Sequence, residues 1–457
     1  MARAALHLND AGITLLDGER VLYRQPGFAL LRDDELVTGD EAFASSRVHP
    51  RHVQHRYWYA LDGELLPDRF FRHLSAADLA SRQLEELARA LPPGVDELVV
   101  AVPAWMGPEQ LGLFLGIARE LGLPVVALAD AAAAATRREY RGAVPVHVDM
   151  GLHATTLTRM AQDDGVQVER AETLDACGLH ALYDAWLRTI AEAFVRQSRY
   201  DPLHAADTEQ ALLDQLGAWL QQAGRGDRVV LELFAGGMAH RAEIESLTLI
   251  GAAAPCYQQI ANRLRALLRA HETPAIQLTD RVARLPGLPD MLKARVGGEV
   301  FALEPGATAR GTLARCRAAA GADGVRLQRR LPWDQATLEV GADALESAHA
   351  GVPTHLLFGD VAWRIDGEPL VIGARGDGGG RQLALDGEMP GVSRRHCALK
   401  RENGQCVVED YSRFGTFLNG HRIDGSTILQ VGDSLRVGTP GYEFLLITTD
   451  ESHGTQA

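Results

Sequence analysis

The stretch "GVSRRHCALKRENGQCVVEDYSRFGTFLNGHRI", residues 391–423, sets a serine, a histidine and several arginines between short apolar segments. From Leu356 onward such segments alternate with turn residues every 8–12 positions or so, which is the pattern of a small β-sandwich. Arg375, Arg381, Arg394, Arg395, Lys400, Arg401, Arg413 and Arg422 stand out in a chain whose net charge is -14. A local excess of cations in an acidic chain favours an anionic ligand at that place.

The rest of the chain reads differently. At 457 residues two or three domains are expected. The net charge argues against general affinity for nucleic acid or anionic membrane. No apolar run is long enough for a membrane span, and "MARAALHLND" lacks the apolar core of a signal peptide. Five cysteines are scattered without a C-x-x-C pair, so no disulfide framework or zinc site is expected and a cytosolic location is.

Residues 1–160 alternate strand and helix signals. "RAALHL" and "GITLL" read as a hairpin around "NDAG". "SAADLASRQLEELARAL" reads as a helix with Ser75 as N-cap, ended by Pro92 and Pro93. "ELVVAVP", a helix opened by Pro108, "PVVALAD", an alanine-rich helix and "PVHVDMG-LHATTLTRM" complete an α/β series. Two helices over 178–225, the hairpin "DRVVLELFAGGMAHRAEIES", a helix over 255–271, strand "PAIQLT" and helix "LPDMLKARV" form a second α/β unit. Residues 317–357 are Ala/Gly-rich and read as a connector. No internal repeat is evident in the sequence.

The C-terminal motifs resemble those of a forkhead-associated (FHA) domain, the phosphothreonine-binding β-sandwich. The family pattern is G-R, S-R-x-H, S-x-N-G-T-x-x-N-G and L-x-x-G-D-x-L; this chain has "IGAR", "SRRH", "SRFGTFLNG" and "LQVGDSLRVG" in that order. A phosphothreonine carries about -1.5 to -2 charges and three acceptor oxygens, so its site needs a guanidinium and short donors on rigid loops. The resemblance implies that Arg375 pairs with phosphate, Ser393 donates its hydroxyl and Arg394 adds backbone or side chain. It puts Arg413 beside the phosphothreonine and Asn419 on the ligand's main chain. It implies that His396 braces the loop, that Gly415 and Gly420 serve turn geometry, and that Gly432 and Asp433 make no ligand contact. Ala374 intervenes between Gly373 and Arg375, which leaves Arg381 as a rival phosphate partner, and Phe414 replaces the usual asparagine.

Residues 1–316 are similar to the nucleotide-binding domain of DnaK-type heat-shock chaperones. The similarity is carried by "VPAWMGPEQLGLFLGIARELGLPVVALADAAAAA", "VDMG", "TLDACGLHALYDAWLRTIAEAF" and "RLPGLPDMLKARVGGEVFALEPGATARGTLARC". The implied fold class is a two-lobed α/β actin-like ATPase fold (1–316), a connector (317–357), an all-β FHA sandwich (358–450) and a tail (451–457). The family's nucleotide contacts are eroded. "NDAGIT" keeps Asp10 and Gly12, "DMGLHAT" keeps Asp149 and Gly151, and "DRVARLP" keeps Arg284, whereas Leu152, His153 and Arg281 replace glycines. No lysine lies in "HPRHVQHRYWYALDG", and its His49, His52 and His55 read as ordinary residues rather than metal ligands.

The expectation is a non-enzymatic, cytosolic bacterial adaptor without cofactor or metal. It docks a phosphothreonine-bearing protein, for example the target of a serine/threonine kinase, while a pseudo-ATPase body holds another protein. The alternatives are a DnaK-like ATPase regulated by phosphoprotein binding and a structural assembly component that ignores phosphate. Oligomeric state is left open.

Overall fold

The computed structural model describes residues 2–447 except 19, 33–34, 319–323, 335–338, 342–351, 359–360, 375–380, 386–391, 403–404, 414, 419–420, 424, 430–432 and 439–441. The chain forms two compact units, Met1–Ala342 and Asp343–Ala457.

The first unit contains two mixed sheets with one plan. In one sheet Ala2–His7, Ile13–Asp17 and Arg20–Gln25 form an antiparallel meander. Val95–Val102 and Val125–Asp130 then add in parallel on the open side of Ala2–His7. In the other, Val144–Met150, Ala154–Gln162 and Gly165–Asp175 form the meander, and Pro274–Leu278 and Glu299–Leu303 add in parallel beside Val144–Met150. Parallel strands need a long crossover, and the helices between them supply it.

Local chemistry sets the elements. Helix Ala76–Ala90 starts at Ser75, whose Oγ accepts the Asp78 N–H at 3.2 Å while the Asp78 carboxylate accepts the Ser75 N–H at 2.7 Å. Its buried Leu79, Ala80, Leu84 and Leu87 join the core beneath the first sheet. Helices Ala131–Ala135 and Ala307–Arg315 pack closely because Gly311 leaves its side-chain space to the Ala134 carbonyl. The Arg315 guanidinium is buried, and donates to the carbonyls of Thr136 (2.9 Å), Ala133 (3.0 Å), Pro332 (3.2 Å) and Ala134. It thus satisfies the carbonyls that a short helix leaves open at its C-terminus. Burial pulls its pKa down to about 10.

The second unit packs two sheets over a shared apolar core. One has strand order Val361–Arg364, His355–Phe358, Tyr442–Ile447, Ser434–Val437, Thr416–Leu418, His421–Arg422. The other has Gln382–Leu385, Leu370–Ala374, Cys397–Glu402, Gln405–Asp410, Ser426–Leu429. Leu356, Leu370, Ile372, Leu399, Val408, Leu435 and Phe444 fill the space between them.

Three expectations need correction. The segment 317–357 is not a plain connector. Leu327–Gln328 joins the first sheet, Arg330–Pro332 and Glu339–Gly341 join the edges of the second, and the sandwich already begins at His355. These strands are too short for a periodic signal, and edge pairing creates them. The helix read over 255–271 spans Ser246–Leu267 and runs through Pro255. Its apolar face, Leu249, Ala253, Tyr257, Ile260 and Leu264, continues across the proline, so packing outweighs the lost hydrogen bond. Cys177 and Cys256, 79 residues apart, are joined in a disulfide, because the turn before helix Leu179–Ser198 lies against helix Ser246–Leu267. Among the described residues no helix is long and apolar enough to cross a membrane.

Candidate functional site: the sandwich loops and the cleft of the first unit

In the sandwich, His396 is fully buried and ties two loops together. Its Nδ1 accepts the Ser393 N–H at 3.1 Å and its Nε2 donates to the Gly415 carbonyl at 3.0 Å. Accepting at Nδ1 requires the neutral ring, and burial lowers its pKa against the opposing pull of the Gly415 carbonyl. Ser393 Oγ accepts the Arg413 N–H at 3.3 Å, so the serine and the 412–415 turn meet directly. From the other side the Ala374 N–H donates to the Ser393 carbonyl at 3.0 Å. That approach needs Gly373, where a Cβ would strike the Ser393 and Arg394 carbonyls. Arg394, Arg395 and Arg413 are exposed around the half-buried Ser393.

Sequence reasoning missed the residue that shapes the second loop. One Asp410 oxygen accepts the Ser412 N–H (2.9 Å) and the Thr416 hydroxyl (2.8 Å), and Ser412 Oγ accepts the Gly415 N–H (2.7 Å). Burial alone would raise the Asp410 pKa, but the bonds from Ser412 and Thr416 outweigh it and hold the carboxyl below the usual range. An aspartate two residues before a serine, opening a turn, was the available signal. Gly415 has φ +98°, a conformation glycine adopts without strain.

Arg381, the rival phosphate partner, lies elsewhere. It pairs with Asp366 at 2.6 Å and donates to the Arg364 carbonyl at 2.6 Å. Its own carbonyl is bonded to Val371, three residues before the Ala374 that meets Ser393, so about 10 Å of strand separates it from the serine. Arg375, Phe414, Asn419, Gly420 and Gly432 lie outside the described residues. Asp433 is buried.

The cleft of the first unit brings together four of its five expected residues. Asp149 is buried; its carboxylate accepts from Asn9 Nδ2 (2.8 Å), Thr279 Oγ1 (2.9 Å) and the Met150 N–H (2.9 Å), and His7 Nε2 lies 3.9 Å away. Burial would raise its pKa, but His7, His147, Arg281 and Asn9 together hold it below the ordinary value. Asp10 Oδ1 accepts the Leu152 N–H at 2.8 Å, and its buried Oδ2 has no partner. Burial first, with Asp149 adding to it, lifts the Asp10 pKa to about 6. Gly12 and Gly151 face this group: a Cβ on Gly12 would strike the Arg281 guanidinium, and one on Gly151 would strike Asp10.

Arg284 is not brought there. It pairs with Asp280 at 2.7 Å, one helical turn back, and points to solvent. Arg281 enters instead and donates to Asn9 Oδ1 (3.1 Å) and the Met150 carbonyl (3.3 Å). Leu152 is buried against Phe28, Leu30, Ala42 and Val53. The space left among His7, Gly12, Asp149, Thr279 and Arg281 is about 30 Å³, whereas small-molecule pockets measure about 300–1,000 Å³. His55, His153 and His180 stack beside it, with ring centroids 4.2–5.9 Å apart. His52 packs on Phe70 at 4.0 Å and its ring centroid lies 6.4 Å from that of His49.

No curated protein matches the chain. Residues 371–438 match the family model of the FHA domain. The C-terminal unit therefore carries an FHA domain, a phosphothreonine-recognition module.

Proposed function

We propose that the chain is a non-enzymatic adaptor that docks a phosphothreonine-bearing protein through Ser393, Arg394 and Arg413. The observation that carries this is the Ser393–Arg413 contact, with both loops locked by His396. A hydroxyl, two guanidiniums and backbone donors on rigid loops suit a phosphate dianion. In this reading Arg375 and Asn419 complete the contacts, and the ligand is the target of a serine/threonine kinase.

The first unit is, on this reading, a degenerate actin-like ATPase body of DnaK type serving as a scaffold. The duplicated sheet plan supports that relationship. Arg281 in the cleft, Leu152 packed where a glycine hairpin would face phosphate, and about 30 Å³ of free space support the loss of nucleotide binding. The unpartnered Asp10 Oδ2 beside Asp149 is the observation that favours the alternative, a working ATPase. A cytosolic location belongs to the proposal, and the Cys177–Cys256 disulfide weighs against it; thiol labelling of the cellular protein decides.

The test is a phosphothreonine peptide library against its unphosphorylated twin, on wild type and Ser393→Ala. Phosphate-dependent binding weakened by the substitution supports the adaptor; equal binding of both libraries refutes it. Thermal shift with Mg-ATP separates the alternative, since a ligand at 100 times its Kd adds about 2.7 kcal/mol.

A further inference from the structure

The FHA site carries more positive charge than one phosphothreonine uses. Arg394, Arg395, Arg413 and Arg422 are all exposed on or beside the two loops that meet at Ser393. Among the described residues none of the four has an ion pair. Glu409, the acid that Arg395 acts on electrostatically, is already held by Lys400 at 3.0 Å and by the Tyr411 hydroxyl. Asp410 is spent on Ser412 and Thr416 inside its loop.

Two of these arginines are also held in place. The Arg395 guanidinium carbon lies 4.3 Å from the Tyr411 ring centroid and the guanidinium also bonds the Tyr411 side chain, contacts that hold the arginine in place with further N–H donors to spare. Arg422 lies along Gly415: a Cβ there would come within 2.7 Å of its Nε and 3.0 Å of its Cδ. The missing side chain of Gly415 is thus the seat of the Arg422 stem, and the same glycine's carbonyl receives the His396 bond. Cations pre-positioned in this way lose little freedom on binding, unlike those on a mobile solvated face.

We propose, resting on the phosphothreonine reading above, that the site takes a phosphothreonine flanked by further negative charge and that Arg395 and Arg422 select for it. The flanking charge comes from aspartate and glutamate side chains or from a second phosphate; both offer the same carboxylate- or phosphate-type acceptors to a guanidinium fork.

The test uses the full chain and fluorescence anisotropy with three phosphothreonine peptides. One has neutral flanks, one has aspartate and glutamate flanks, and one has neutral flanks with a nearby phosphoserine; each has a twin lacking the phosphothreonine phosphate. The proteins are wild type, the double variant Arg395→Gln/Arg422→Gln, and Ser393→Ala. Acidic or doubly phosphorylated flanks are expected to tighten wild-type binding about tenfold over neutral flanks, at a few-fold for each exposed charge pair. That gain shrinks with added salt, and in the double variant the ratio of acidic-flank to neutral-flank affinity falls close to one. Which of the two charged peptides gains more identifies the source of the charge. Equal affinity for neutral and charged flanks, or an unaltered ratio in the double variant, overturns the proposal while leaving phosphothreonine binding intact. Twins that bind as well as their phosphorylated forms overturn both this proposal and the reading beneath it.

Discussion

Asp149→Ala tests whether the cleft is a structural clamp. The carboxylate accepts from the Asn9 amide, the Thr279 hydroxyl and the Met150 N–H, all at 2.8–2.9 Å and all buried. The substitution strands three buried donors. Each stranded group costs about 1–3 kcal/mol, so three of them predict a loss of at least about 3 kcal/mol. Asp10→Ala is the internal control. It removes one backbone bond from Leu152 and an oxygen without a partner, on a carboxyl whose pKa burial has already lifted to about 6. Its expected cost is about 1–2 kcal/mol. Urea titration followed by tryptophan fluorescence measures both, since Trp58, Trp105, Trp186, Trp219 and Trp333 lie in the first unit and Trp363 alone lies in the second. Because Asp149 is held below its ordinary 3.8, its contribution is present above that pH and is lost as pH falls through the folded value. Asp149→Ala within 1 kcal/mol of wild type, or equal losses at the two aspartates, would refute the clamp.

Three further outcomes are expected. Gly373→Ala forces the Ser393–Arg394 backbone outward and should weaken phosphopeptide binding at least tenfold with the fold retained; unaltered affinity on titration would show that the close approach is dispensable. In the His55–His153–His180 stack, burial holds His153 at about 4 and His55 at about 2, with neighbouring Arg47 and Arg56 opposing protonation and Asp184 favouring it at His180. The unfolded chain therefore binds more protons, stability is full above pH 6.5 and falls as pH drops toward 4, by up to about 3 kcal/mol for His153. Denaturation midpoints across that range should flatten in His153→Gln, and an unchanged slope would rule the stack out as the cause. Ser75→Ala removes the Oγ that accepts the Asp78 N–H while keeping the backbone half of the capping box, and should cost about 1 kcal/mol by thermal denaturation; no loss would mean water replaces the cap.

Much of the architecture was legible because its signals are local. The Ser75 cap, Pro108 at a helix start, the tight "NDAG" turn and the 8–12-residue punctuation of the sandwich each act within a few residues. The four FHA motifs were equally legible, and His396, Ser393 and Arg413 meet in the folded sandwich. Edge strands of two or three residues were not, since they exist only where a neighbouring sheet offers unpaired groups.

By itself the sequence determined the order and type of the main elements and the FHA motif set. Tertiary structure decided which of the candidates work together. Arg281 rather than Arg284 enters the cleft, because Asp280 captures Arg284 one turn away while Asn9, 272 positions distant in sequence, receives Arg281. Arg381 is lost to Asp366 by the register of two parallel strands, and Cys177 reaches Cys256 across 79 residues. The duplicated sheet plan leaves no repeat in the sequence, because strand order depends on which backbone edges meet and many apolar sequences satisfy the same pairing. Periodicity and turn chemistry act along a few residues of chain. Ion pairing and packing act across space, and only the fold brings those partners within reach.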